Sequence, residues 1–97
     1  MHAQVTRVQF QSDRVNEAIA VFRDSVVPAA REQQGFQAAY LLVDRDASSG
    51  IVVSLWETEA DVAALAAGGV YQAQVAKVAA FLAGPPERAV YEVSVQA

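Results

Sequence analysis

The sequence predicts an α+β domain in which helices cover one face of a four-stranded antiparallel sheet. Three observations carry that prediction. Stretches with a period of two and stretches with a helical period follow one another in the order β-α-β-β-α-β. The third strand is mainly apolar on both sides, whereas a sheet with one wet face alternates apolar and polar residues. The chain has 97 residues, 54% of them hydrophobic, and no cysteine, so a small core carries surplus apolar surface without a covalent staple. The arrangement is a ferredoxin-like plait. It is read as one domain over residues 1–97. The sheet face away from the helices calls for a second copy of the chain as its cover.

The first strand is expected over Ala3 to Phe10, with Thr6, Val8 and Phe10 on one side and Arg7 and Gln9 on the other. Ser12 or Asp13 is expected to cap a helix. Val15, Ala18, Ile19, Phe22, Val26 and Ala29 then fall on one helical face. Pro28 should bend the last turns, and Gly35 should end the helix in a left-handed conformation. Phe36 to Val43 and Ile51 to Glu57 read as an antiparallel hairpin across the polar segment Asp44 to Gly50. Thr58-Glu59-Ala60-Asp61 has the spacing of a capping box and should start a second helix. Gly68-Gly69 should break that helix. Beyond the break, Tyr71, Val75, Val78 and Leu82 form a stripe. Gly84-Pro85-Pro86 should stop it, and the final strand is expected over Ala89 to Val95.

The net charge is −4 and there is a single lysine, Lys77. Such a surface repels phosphate, which argues against nucleic acid and anionic membranes as partners. Val62 to Tyr71, the longest apolar run, is about half of the ~20 residues a membrane span needs. Met1 to Phe10 lacks a cationic start followed by an apolar stretch, so no signal peptide is expected. With no cysteine, a cytoplasmic location is expected. The one histidine, His2, cannot build a metal site alone, and neither metal nor organic cofactor is expected.

No glycine-rich phosphate loop, metalloprotease helix or nucleophile elbow occurs. An RNA-recognition module would need aromatic platforms in a basic, glycine-containing strand, and Ile51 to Glu57 has neither base nor glycine. Trp56 is the most informative residue. It shares a strand side with Val52 and Ser54 and closes the strand just before the helix cap. On the helix side it is either an aromatic wall for a flat ligand or an ordinary core tryptophan. Tyr71, just past the glycine break, either offers its hydroxyl to a ligand or reaches solvent. Arg7 is either solvated or paired with Glu92 near a dimer interface.

Two segments carry a resemblance to a known family. The helix end Val27-Pro28-Ala29-Ala30-Arg31-Glu32-Gln33-Gln34-Gly35-Phe36 runs straight into a strand, and Ser54-Leu55-Trp56-Glu57-Thr58-Glu59-Ala60 joins a strand tryptophan to a helix cap. The chain resembles the antibiotic biosynthesis monooxygenase-like domains of the dimeric α/β-barrel superfamily. The resemblance implies a homodimer with a cleft between each sheet and its helices. Some such proteins oxidise phenols or quinols with molecular oxygen, using neither metal nor flavin; others degrade haem. The haem-degrading pattern has an asparagine where this chain has Thr6, and a histidine in the region of Ala66 to Tyr71. The quinol-oxidising pattern has a histidine near Gly68 or Gly69, and some polyketide-oxidising members have an asparagine at the place of Val52. The reading is therefore a cofactor-independent monooxygenase of a small phenol or quinol, or a non-catalytic ligand-binding module of the same fold. A small aromatic ligand would meet Trp56, Thr6, Ser54, Val52, Phe22 and Tyr71.

Overall fold

The computed structural model describes all 97 residues. Strand β1 (His2–Gln9) leads to α1 (Val15–Val21), a π-helical turn (Phe22–Val26) and α2 (Val27–Arg31). The hairpin β2 (Phe36–Asp44) and β3 (Ser49–Trp56) follows. Then come α3 (Glu59–Ala67), α4 (Val70–Val78), a short 3-10 turn (Ala79–Phe81) and β4 (Glu87–Glu92). The sheet order is β2-β3-β1-β4 with every pairing antiparallel. This is the α+β plait that the periodicity predicted. No helix is long and apolar enough to cross a membrane.

The details depart from the sequence reading in instructive ways. Ser12 and Asp13 do not cap α1. They occupy a turn closed by the Arg14 amide donating to the Gln11 carbonyl at 2.9 Å, and the helix starts one residue later with no side-chain cap. Pro28 perturbs the residues before it. Lacking an N–H, it leaves the Asp24 carbonyl without the usual partner four residues on. The turn there widens, and the Val27 amide reaches back to the Phe22 carbonyl, a five-residue step. The helix stops at Arg31, ahead of Gly35, although Gly35 does take a positive φ of 82°.

The loop before β3 is shorter than expected, because Asp44 Oδ1 accepts from the Asp46 and Ala47 amides and folds the turn tightly. Strand β4 starts and ends early. Its partner β1 begins at His2, opposite Glu92, so residues beyond have little left to pair with. The same register sets Arg7 opposite Glu87 and Glu92 opposite His2; of the two alternatives for Arg7, the exposed, solvated one holds within the chain.

The main core lies between sheet and helices: Val8 and Phe10 from the sheet side, Val15, Ala18 and Phe22 from the first helical segment, and Val78 and Leu82 from the last. Gly50 makes room for it, since a side chain there would run into the Phe10 ring. A second cluster joins Trp56 to Val62 and Leu65. The capping box at α3 is formed as the sequence indicated: Asp61 N donates to Thr58 Oγ1 at 3.1 Å and Thr58 N donates to Asp61 Oδ2 at 3.2 Å.

The opposite sheet face presents Tyr40, Leu42 and Tyr91 to solvent, each more than half exposed at 55%, 53% and 57%. Ile51, Val53 and Leu55 lie half-buried between them. One face of the sheet is thus a packed core and the other is uncovered apolar surface.

Candidate functional site

The side chains that face the helices are set by strand alternation and by register. Gln4 lies opposite Ser54 on β3 and Val90 on β4; Thr6 lies opposite Val52 and Arg88. His2 lies opposite Trp56 at the sheet's end. Such direct neighbours bring their Cβ atoms to ~4.5–5.5 Å of one another. Gln4, Thr6, Ser54 and Trp56 are therefore one contiguous patch of the sheet, and all four are buried.

Above this patch lies a cavity of about 90 Å³. Its floor includes Gln4, Thr6, Val8, Val52 and Ser54. Its roof takes Phe22, Val26 and Val27 from one side and Tyr71, Gln74, Val75 and Val78 from the other. Sixteen of 21 lining residues are hydrophobic, and no lining residue carries a formal charge. All six residues singled out from the sequence, Trp56, Thr6, Ser54, Val52, Phe22 and Tyr71, border it. So does the whole stripe Tyr71, Val75, Val78 and Leu82.

Trp56 stands on the helix side of the sheet, but it is more deeply set than a stacking platform. Its relative exposure is 0%. Val62 and Leu65 pack against it, and Phe36 meets it edge-on with ring centroids 5.7 Å apart. Its Nε1–H donates to Ser54 Oγ at 2.9 Å, within the buried layer. With no accessible surface, the indole has no free face for a flat ligand in this conformation. It anchors the core, forms part of the cavity wall and orients Ser54.

Three groups at the site escaped the sequence reading. Gln4 continues the alternation of Thr6 and Val8 and could have been found by extending that pattern by one step. Gln74 follows Tyr71 by three residues on α4; its Oε1 is buried without a hydrogen-bond partner, an arrangement that costs ~1–3 kcal/mol when left unsatisfied. Arg88 comes from β4. Its Nε donates to Gln4 Oε1 at 2.7 Å, and its guanidinium lies 5.5 Å from the centroid of the Tyr71 ring. No local pattern announces it, because only the sheet register brings it there. Elsewhere, hydrogen bonds from Arg23 hold the Asp24 carboxyl below its ordinary value; that pair is fully exposed and lies outside the cavity.

The family model for antibiotic biosynthesis monooxygenases matches residues 1–77. The chain belongs to this family. In structure, this antibiotic biosynthesis monooxygenase family member is similar to the monooxygenase from the gene ActVA-Orf6 of Streptomyces coelicolor, solved in complex with Nanaomycin D. The TM-score is 0.81 at 16% identity, covering 99% of this chain and 89% of that one. It is also similar to SnoaB, a cofactor-independent oxygenase from Streptomyces nogalater, with a TM-score of 0.76 at 15% identity over 98% and 94% of the two chains. At such identities the likeness establishes the fold. In sequence the chain is similar to Rv2557, an uncharacterised protein of Mycobacterium tuberculosis, with 40% identity over 58 residues, 60% of this chain and 26% of that protein. The matched region thus spans about a quarter of the length of the curated relatives. Within the antibiotic biosynthesis monooxygenase fold, Val52 and Thr6 sit side by side on the cavity floor, at the two places where the family resemblance raised an asparagine.

Proposed function

We propose that the cavity binds a small phenol or quinol and promotes its oxidation by molecular oxygen without a resident cofactor. The observation that carries this reading is the cavity itself: an apolar enclosure between sheet and helices, with Thr6, Ser54, Tyr71, Gln4 and Gln74 on its wall. Membership of a family whose structural relatives include a cofactor-independent oxygenase supports the reaction class. The stoichiometry needs no external reductant. A phenol and one oxygen molecule give a quinone and one water: one oxygen atom enters the ring, the other leaves as water, and the ring supplies all four electrons. The protein's share of the work is to hold the ring, exclude bulk water and favour the ionised form, which gives up an electron more readily. Phe22 and Tyr71 supply aromatic contacts, while the Thr6 and Tyr71 hydroxyls fix the ring's orientation.

Oxygen-electrode measurements on the metal-free protein with a panel of quinols and phenols test this. The expected result is enzyme-dependent uptake of one oxygen per molecule of substrate, unaffected by chelator. A panel consumed no faster than its spontaneous oxidation would remove the oxygenase reading. One observation favours the second reading, a binding module without catalysis: the lining includes no histidine or carboxylate to take the substrate's proton.

The same proposal includes a homodimer formed through the uncovered sheet face. Tyr40, Leu42 and Tyr91, with Ile51, Val53 and Leu55 between them, make an apolar surface of the kind found in obligate interfaces, on the order of 2,000 Å² in total. Sedimentation at micromolar concentration should give twice the mass of the chain. Leu42→Glu should shift it toward monomer, and a folded wild-type monomer throughout that range would refute the dimer.

A further inference from the structure

An apolar cavity by itself works against an anionic ligand, because burial favours the neutral phenol. The proposed reaction needs the anion, and the lining offers no formal positive charge. The compensating charge stands one side chain behind the wall, on the exposed residue Arg88 of the edge strand β4. Arg88 has none of the chain's carboxylates as an ion-pair partner. Its Nε donates to the Oε1 of Gln4, and its guanidinium covers Tyr71; both of those residues line the cavity.

A guanidinium can only donate hydrogen bonds. Arg88 therefore fixes which way the Gln4 carboxamide points: the oxygen turns to Arg88 and the NH2 end remains to donate to a ligand. A charge-assisted bond at one end of an amide also polarises the other end. We propose that Arg88 and Gln4 form an oxyanion-binding relay, in which Gln4 Nε2 donates to the oxygen of an aryl oxyanion bound in the cavity and Arg88 supplies the charge through the amide. Gln4 is the contacting residue and Arg88 a positioning residue. The ligand class is a phenolate; an aryl carboxylate shares the chemistry and serves as the comparison. The inference rests on the functional reading above for its choice of ligand, but it concerns binding and is independent of oxygen.

The test uses 4-nitrophenol, whose phenol and phenolate forms absorb at different wavelengths, with the intact protein. Addition of protein at fixed pH is expected to raise the phenolate fraction, with phenolate bound about tenfold more tightly than phenol, the size of a hydrogen bond to a charged group. Arg88→Gln and Gln4→Leu should each abolish that preference, and Arg88→Lys should restore part of it for Arg88. The neutral ether 4-nitroanisole should bind all variants equally, which separates loss of the relay from loss of fold. 4-Nitrobenzoate reports on the carboxylate; binding tighter than that of the phenolate would overturn the assignment to phenols. A preference for the neutral phenol, a phenolate preference that survives Arg88→Gln, or no binding of either form would overturn the relay. Phenolate preference in a protein that leaves the quinol panel unoxidised would leave the relay standing and remove only the oxygenase reading.

Discussion

Replacing Trp56 with alanine is expected to cost about 3–5 kcal/mol of stability, the range for emptying a large aromatic site in a packed core. The indole is fully buried, contacts Val62 and Leu65, and meets Phe36 edge-on. Its removal also takes away the donor to Ser54 Oγ. In a domain whose total stability is about 5–15 kcal/mol, that is a large share. Urea unfolding followed by far-ultraviolet circular dichroism is the measurement, because the substitution deletes the only tryptophan. Trp56→Phe keeps much of the volume and should lose less than half as much. The variants must be compared at equal chain concentration if the fold is a dimer. An alanine variant within about 1 kcal/mol of wild type would show that the packing around the indole is loose.

Gly35→Ala is the second large effect, at about 2–3 kcal/mol. Gly35 has a φ of 82°, and a side chain in that left-handed region costs ~1–2 kcal/mol. The added Cβ would also collide with the Asp61 carboxyl. Asp61 closes the capping box with Thr58, and loss of a cap is worth ~0.5–2 kcal/mol. The Gly35 carbonyl further accepts from the Glu57 amide at 2.8 Å, so this one residue ties the entrance of β2 to the exit of β3 beside Trp56. A double-mutant cycle with Asp61→Ala separates the two costs. Once the carboxyl is gone, Gly35→Ala should retain the backbone penalty and a milder contact with the Cβ that remains at position 61. Additive losses in the cycle would mean that the two residues do not press on one another.

The elements and the sides of the strands were legible because each depends on neighbours a few residues away. Thr6 and Val8 alternate, Tyr71 to Leu82 follow a helical stripe, and both sets reach the same cavity. Thr58 and Asp61 announce their cap by spacing alone. What escaped depends on distance along the chain. The Gln4–Arg88 bond joins residues 84 positions apart and exists only because β4 pairs with β1 in one register. The depth of Trp56 follows from Val62, Leu65 and Phe36 closing over it, which no strand pattern encodes. Ser12 and Asp13 looked like caps by residue type; the turn from Gln11 to Arg14 engaged them first.

The π-helical turn at Phe22–Val26 holds one residue more than an α-helical register would, and Phe22 before the step shares the cavity with Val26, Val27 and Ala30 at or beyond it. Deleting one residue there would let the Val27 amide bond the Phe22 carbonyl in the ordinary four-residue step, which keeps α2 in phase with α1 and draws the wide turn in to α-helical dimensions. The width of the turn beside the cavity is therefore open to change by the loss of a single codon, with the sheet floor and the facing of α2 left untouched, a change of pocket shape that point substitution within the lining does not offer.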